Sequence, residues 1–83
     1  MNRDGMLTTG NQLKAARALA GLDQATLAGM AGLSPNTISA MEKRGAETLT
    51  SGLDTIQAIM RALDASGIEL LNDGRPGVRI KGD

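Results

Sequence analysis

Small polar side chains suited to contacting nucleic-acid bases cluster between Ser34 and Ala40. Asn36 carries a donor and an acceptor on one amide, a pair of groups that can bind an adenine edge through two hydrogen bonds. The hydroxyl of Thr37 can bond a base or a phosphate, and Ala40 is small enough to lie against a thymine methyl group. We therefore predict DNA contacts from Ser34, Asn36, Thr37, Ser39 and Ala40. The alternative for the polar members is an ordinary solvated helix face.

Three further polar residues flank this cluster and suit the phosphate backbone rather than the bases. Gln24 precedes the cluster at the start of a predicted helix, where a phosphate contact would set the register on DNA. Lys43 and Arg44 follow the cluster. For these two residues the alternative is a favourable charge at the negative end of a helix dipole, and both roles are compatible.

Capping signals divide the first four fifths of the chain into four helices that position these residues. Each helix begins at a capping side chain and ends before a glycine. The predicted caps are Thr9, Asp23, Ser34 and Ser51, and the closing glycines are Gly21, Gly32, Gly45 and Gly67. Gln12 and Asp54 complete capping boxes at the first and fourth helices. Pro35 occupies the first position of the third helix, where its missing N–H costs nothing.

The second and third predicted helices are joined by a very short turn. Ala28 is small enough for a close helix crossing, and Gly32 tolerates a left-handed backbone. Ile38 and Met41 supply long apolar side chains that point back from the third helix. This combination predicts a helix-turn-helix whose outer helix, about residues 35–43, leaves one face open to a DNA groove.

Residues 24–43, with residues 13–17 before them and residues 41–45 at their end, resemble the phage-repressor/Cro-like helix-turn-helix family, also called the Xre family. The resemblance covers about residues 9–66. It implies a mainly α, compact four-helix, lambda-repressor-like domain. It further implies a transcriptional regulator that binds a palindromic operator on double-stranded DNA as a homodimer, with residues 35–43 as the recognition helix in the major groove. We predict that this regulator is a repressor.

Arg17 and Glu42 are predicted to form an ion pair, from their positions and from the resemblance. Arg17 lies on the core-facing side of the first helix, and Glu42 lies four residues after Ile38 on the inner side of the third. Charged residues are rarely buried alone. The pair would brace the first helix against the recognition helix. The alternative is that both side chains reach solvent at the helix edges.

The tail after Gly67 changes character and predicts a β-hairpin. Residues 68–71 and 78–81 flank a segment dense in turn residues, and the second of these runs alternates apolar and polar positions. A lone two-stranded hairpin is marginal in water. We therefore predict that this tail pairs with a second copy, together with the exposed side of the fourth helix. The predicted interface residues are Ile68, Leu70, Val78 and Ile80. The alternative is a hairpin folded back on its own domain.

Length and composition limit the chain to one small domain. Its 83 residues contain no cysteine, histidine or aromatic residue, which removes the commonest metal ligands and general bases. We expect no enzyme activity, no metal and no cofactor. Residues 1–8 are predicted to be a flexible arm, residues 9–66 the DNA-binding domain and residues 67–83 the dimerisation element. We find no apolar span or signal peptide and expect a cytoplasmic protein that does not enter a membrane.

The formal net charge is zero, which is unusual for a protein that binds nucleic acid. Residues 1–45 carry five cations against three anions, so the mild basicity lies in the half that contains the motif. One protomer would make few phosphate contacts, which favours a homodimer. An alternative function is a protein-interaction module, such as an antitoxin or adaptor, in which the same fold contacts a protein partner.

Overall fold

Four helices and a two-stranded hairpin make up the chain over the residues that the structure describes. The computed structural model describes residues 6–72 and 75–82. The helices are α1 (Gly10–Leu19), α2 (Gln24–Ala31), α3 (Pro35–Glu42) and α4 (Leu53–Ala65), followed by the antiparallel strands β1 (Ile68–Leu71) and β2 (Gly77–Ile80). The predicted mainly α fold with a terminal hairpin is confirmed. Within these residues, no helix has the length and apolar character needed to cross a membrane.

Side-chain caps begin three of the four helices, as predicted. Thr9, Asp23 and Ser34 each accept a hydrogen bond from the backbone N–H three residues later. The prediction for the fourth helix is wrong, because Gly52 occupies the capping position in an extended conformation and Ser51 lies one residue outside it. The first turn of α4 therefore begins without a side-chain cap.

The core is built from aliphatic side chains and methionine. Gly32 has a φ of +71°, so the turn between α2 and α3 uses the left-handed conformation that glycine tolerates. Ala28, Ile38 and Met41 are all buried in the core, and α2 packs against α3, as the predicted helix-turn-helix requires. The buried apolar residues are Leu7, Leu13, Ala16, Leu27, Ala28, Ile38, Met41, Leu49, Ile59, Ala62, Leu63, Ile68 and Leu70.

The segment before α1 packs against the domain, so the flexible arm predicted for residues 1–8 is corrected over residues 6–8. Leu7 is buried in the core. The backbone N–H of Leu49 donates to the carbonyl oxygen of Thr8 at 2.8 Å, and Thr9 forms a β-bridge with Thr48. Residues 1–5, the rest of that predicted arm, lie outside the described residues.

The hairpin folds onto its own domain, against α1 and α4. Ile68 and Leu70 are part of the protomer's core, and Val78 packs against it. Ile68 and Leu70, which are 3% and 6% exposed, therefore cannot provide a surface for a second copy, and the predicted interface is corrected at these two residues. Ile80 lies at the rim and remains 63% exposed.

A buried glutamine fastens the hairpin to α1. The amide nitrogen of Gln12 donates to the carbonyl oxygens of Leu71 and Gly77, each at 3.1 Å, and therefore bridges the facing ends of β1 and β2. Its amide oxygen accepts from the backbone N–H of Thr8 at 2.8 Å, one residue before the cap Thr9. The capping glutamine predicted from the sequence thus reaches one residue further out, and it also anchors the tail.

The first residue of α1 lies directly against the end of α3. A Cβ atom added at Gly10 would approach the carbonyl oxygen of Met41 to 2.5 Å and that of Glu42 to 2.9 Å. Both of these are backbone atoms that cannot rotate away. The close approach is secured by a hydrogen bond at 2.8 Å from the backbone N–H of Asn11 to the carbonyl oxygen of Gly45. Only glycine fits this position without moving α1 from α3.

Gly10→Ala is therefore expected to lower the free energy of unfolding by about 1–3 kcal/mol, the usual cost of overpacking. Gly29→Ala is the matched control, since Gly29 is also helical but has open space around its Cβ position. That variant should gain about 0.5–1 kcal/mol, because alanine favours helix over glycine. Urea unfolding of both variants measures the difference, and a Gly10→Ala variant as stable as Gly29→Ala would contradict the close contact.

Candidate nucleic-acid interface

The third helix, α3, has one buried face and one exposed face. Ile38 and Met41 point into the core, where both are buried. Asn36, Ala40 and Lys43 are exposed and follow one another at successive helical turns on the opposite side. An outer face of this kind can enter the major groove of DNA while α2 supports it from behind.

Asn36 is the residue on this face best suited to base recognition. It lies in the first turn of α3, after Pro35, and N-terminal residues of a recognition helix normally reach the bases. Within the described part of the chain, its amide makes no hydrogen bond, so both its donor and acceptor face solvent. The side chain is therefore available for a pair of hydrogen bonds to one base.

Ser34 and Thr37 form a coupled pair of hydroxyl groups beside Asn36. The Ser34 hydroxyl accepts from the backbone N–H of Thr37 at 3.3 Å, and the two hydroxyl oxygens are 3.1 Å apart. One hydroxyl proton is used between them, which leaves the other free to donate to a base or a phosphate. Ser39, the remaining polar residue predicted to contact DNA, is partly buried, whereas Ala40 is exposed.

The structure brings Arg17 and Glu42 together in a bidentate ion pair. The Nε–Oε2 distance is 2.7 Å and the Nη2–Oε1 distance is 3.0 Å. Arg17 also donates to the carbonyl oxygen of Leu22 at 3.0 Å, and the amide of Gln24 donates to Glu42 Oε1 at 3.1 Å. The side chain of Glu42 is only 6% exposed. These hydrogen bonds link α1, the start of α2 and the end of α3, and they hold α3 in place against the other two helices.

Two of the residues predicted to contact phosphate have partners inside the protein. Gln24 uses one amide N–H on Glu42, which leaves its second N–H for a phosphate. The guanidinium group of Arg44 donates to the carbonyl oxygen of Thr48 at 3.0 and 3.3 Å, and it therefore secures the loop after α3. By contrast, Lys43 is exposed and makes no ion pair with any residue that the structure describes.

Lys14 is a cation near this site that the sequence-based prediction missed. It lies one helical turn before Arg17 on α1 and is exposed. Its charge is close enough to help lower the pKa of Glu42. Its spacing from Arg17 is the sequence signal that would have placed it beside the ion pair, because residues three apart are neighbours on a helix.

Acid should weaken the fold through Glu42. Burial raises the pKa of this carboxyl group, but hydrogen bonds from Arg17 and Gln24 and the nearby positive charges outweigh burial, and the pKa lies below its ordinary value. A lowered pKa means that the charged form stabilises the folded state above the ordinary pKa of about 4.3. This stability is lost as the pH falls through the folded-state pKa.

The expected result is a steeper loss of stability for the wild type than for Glu42→Gln as the pH falls below the ordinary glutamate pKa of about 4.3. Urea unfolding midpoints at several pH values measure both slopes. Asp23 also has a lowered pKa, from its capping bonds to Thr26, but it is present in both proteins and does not affect their difference. Identical slopes would contradict the role of Glu42.

The described residues contain no group of three or more acidic side chains that could hold a metal ion.

Residues 13–70 match a family model described as helix-turn-helix, and the match spans α2, the turn and α3. The comparison with curated proteins finds no significant match. The matched range covers well over half of the chain and includes every predicted DNA-contacting residue.

Proposed function

The chain belongs to the Cro/C1-type, Xre-like helix-turn-helix family, a family of DNA-binding regulators, and from this premise we propose that it represses transcription as a homodimer on a palindromic operator. The observation that carries the proposal is the outer face of α3. Asn36, Ala40 and Lys43 share that face and are all exposed, above a buried and braced inner face. A repressor needs nothing more than occupancy of an operator that overlaps a promoter.

Each polar residue of the site has a proposed role. Asn36 binds a base, the coupled hydroxyl pair of Ser34 and Thr37 contributes one further hydrogen bond, and Ala40 lies against a thymine methyl. The residues proposed to contact phosphate are Gln24, Lys43 and Arg44, and the partly buried Ser39 is proposed as a further DNA contact. Phosphate contacts fix the register and supply affinity, whereas base contacts supply specificity.

The balance of charge supports a homodimer. With a formal net charge of zero, one protomer has few cations to place on the phosphates. Two protomers on a symmetric site double those contacts and bind the second half-site at a raised effective concentration. The proposed dimer surface consists of Ile80, at the exposed rim of the hairpin, and the exposed side of α4. Val78, the other predicted interface residue, lies beside it at the edge of the core.

The salt dependence of binding tests the proposed role of Lys43. Lys43→Gln should weaken binding to all DNA sequences alike and reduce the slope of log affinity against log salt by about 1, because one phosphate is then no longer neutralised. Fluorescence anisotropy with a fragment of the gene's own upstream region measures the slope. Arg75→Gln, a change at an exposed cation in the hairpin turn, is the matched control and should leave the slope unchanged.

An unchanged slope for Lys43→Gln would remove this residue from the interface. No binding by the wild type at low salt would contradict DNA binding altogether. That outcome would leave the alternative, a protein-interaction module of the antitoxin or adaptor type, as the better account of the fold.

A further inference from the structure

A continuous series of hydrogen bonds runs from the C-terminal hairpin to the loop after α3, residues 44–49. At the hairpin, the amide nitrogen of Gln12 donates to the carbonyl oxygens of Leu71 and Gly77. The amide oxygen of Gln12 accepts from the backbone N–H of Thr8. The carbonyl oxygen of Thr8 in turn accepts from the backbone N–H of Leu49. The hairpin therefore reaches this loop through one side chain and one short backbone segment.

The loop end of the series holds the guanidinium group of Arg44. The carbonyl oxygen of Thr48 accepts from Nε and Nη2 of Arg44, at 3.3 and 3.0 Å. Thr48 is fixed by its β-bridge to Thr9, and the Glu47 carboxylate lies 3.7 Å from the same Nη2. Nη1 of Arg44 carries two further N–H groups, which make no hydrogen bond within the part of the chain that the structure describes. The position of Thr48 thus sets the direction in which these two groups point.

Gln12 is the junction between the hairpin and the segment before α1. Its side chain is buried, at 3% exposed, so its hydrogen bonds are shielded from water and each lost bond would leave a buried group unpaired. Asn72, at the end of β1, forms a second link. Its amide donates to the carbonyl oxygen of Met6 and accepts from the hydroxyl of Thr8 at 3.2 Å. Both links fasten the hairpin to residues 6–8, which lie against the loop after α3.

We infer that the hairpin, acting through Gln12, positions Arg44 for a phosphate of DNA. Gln12 is then a positioning residue of the nucleic-acid interface, although it lies away from the outer face of α3. A guanidinium group binds a phosphate most strongly through two parallel N–H groups, so its orientation decides the strength of the contact. The inference deepens the proposed function and rests on it, because Arg44 is one of the residues proposed to contact phosphate.

A double-mutant cycle between Gln12 and Arg44 tests the coupling. Fluorescence anisotropy with a fragment of the gene's own upstream region gives the slope of log affinity against log salt. In the wild type, Arg44→Gln should reduce this slope by about 1 for each protomer bound, and Gln12→Met should reproduce about half or more of that reduction. In the Gln12→Met protein, Arg44→Gln should then have a correspondingly smaller effect. Equal effects of Arg44→Gln in both backgrounds would overturn the inference.

Two controls separate positioning from a general loss of stability. Ile59→Val changes a buried residue of α4 that takes no part in the series, and it should leave the salt slope unchanged. Lys43→Gln should reduce the slope equally with glutamine or methionine at position 12. Lys43 precedes the start of the loop, which the backbone bond from Asn11 to Gly45 fastens without the hairpin. A Lys43→Gln effect that shrinks together with that of Arg44→Gln would overturn the specific coupling.

A second variant covers the case in which Gln12→Met does not fold, as thermal unfolding would show. Asn72→Ala removes the other link between the hairpin and residues 6–8, at a partly exposed position where the fold depends less on the side chain. In this background the effect of Arg44→Gln on the salt slope should again be smaller than in the wild type. An undiminished effect would overturn the inference.

Amide hydrogen exchange without DNA separates this inference from the proposed function. The backbone N–H of Leu49 should exchange faster in Gln12→Met than in the wild type, because its acceptor on Thr8 is no longer held in place. The N–H groups within α2 should exchange as before. Unchanged exchange at Leu49 would overturn the inference even if DNA binding is intact. Faster exchange at Leu49, in a protein whose wild type binds no DNA at low salt, would support control of the loop by Gln12 and contradict the regulator.

Discussion

Glu42→Ala should lower the free energy of unfolding by about 3–5 kcal/mol, the cost of leaving a buried charge without its partner. Arg17 is only 17% exposed, and in the variant its guanidinium group would face an empty space instead of a carboxylate. Gln24 would lose its acceptor as well. A small domain has roughly 5–15 kcal/mol of stability in total, so this single change removes a large share of it. Urea unfolding at low temperature provides the measurement.

The matched control removes both charges together. Arg17→Met combined with Glu42→Leu buries no lone charge, and replacing both partners by apolar side chains is often neutral or stabilising by about 1–4 kcal/mol. The double variant should therefore be much more stable than Glu42→Ala. A loss below about 1 kcal/mol for Glu42→Ala is the size expected of an exposed pair, and it would contradict the bracing role. Because the double variant stays folded, its DNA affinity also shows how far the ion pair positions α3.

Asn36→Ala is expected to weaken binding to the operator by about 1–3 kcal/mol per half-site, or roughly 5- to 150-fold, with no change in stability. The side chain is exposed and has no partner within the described part of the chain, so the fold does not depend on it. The loss should be accompanied by relaxed preference at one base pair of each half-site. Anisotropy titrations with the operator and with single-base variants measure both effects.

Asn11→Ala is the matched control for this change. Asn11 is also exposed and helical, but it lies on α1, and its backbone bond to Gly45 is kept in the variant. This variant should bind like the wild type. If Asn36→Ala retained both the affinity and the sequence preference of the wild type, the assignment of Asn36 to a base would be wrong.

Local signals predicted most of the helical part of the fold. Thr9, Asp23 and Ser34 cap the helices because the groups they satisfy lie within three residues along the chain. The same logic failed at Ser51, where Gly52 takes the capping position instead. The capping position belongs to the residue whose backbone is extended just before the helix. The side-chain types of Ser51 and Gly52 alone do not decide which of the two adopts that conformation.

Long-range contacts could not be predicted in the same way. The two-residue repeat of a strand places Ile68 and Leu70 on one face of β1, and both are buried there, but the repeat does not say what covers that face. The covering elements are α1 and α4 of the same protomer. Gln12 shows the same limit, because its local capping role was visible and its bonds to the hairpin were not.

In the candidate site, too, local spacing predicted some features, whereas others depend on contacts that spacing does not reveal. The exposure of Asn36 and Ala40 follows from helical spacing relative to the buried Ile38, so the sequence predicted the outer face of α3. The bond between Arg44 and Thr48 depends on how the following loop turns, and a cation predicted to bind DNA is partly used within the protein. Charge type alone does not reveal which cations remain free.

Selection of bound fragments from a pool of random double-stranded DNA is the most direct test of sequence-specific binding by a homodimer. The wild-type protein should enrich an inverted repeat whose half-site centres are about 10 base pairs apart, since two recognition helices then meet adjacent major grooves on one side of the DNA. Sequence-specific binding by a homodimer would be contradicted if no common sequence were enriched at low salt, or if a single half-site were enriched without its inverted copy.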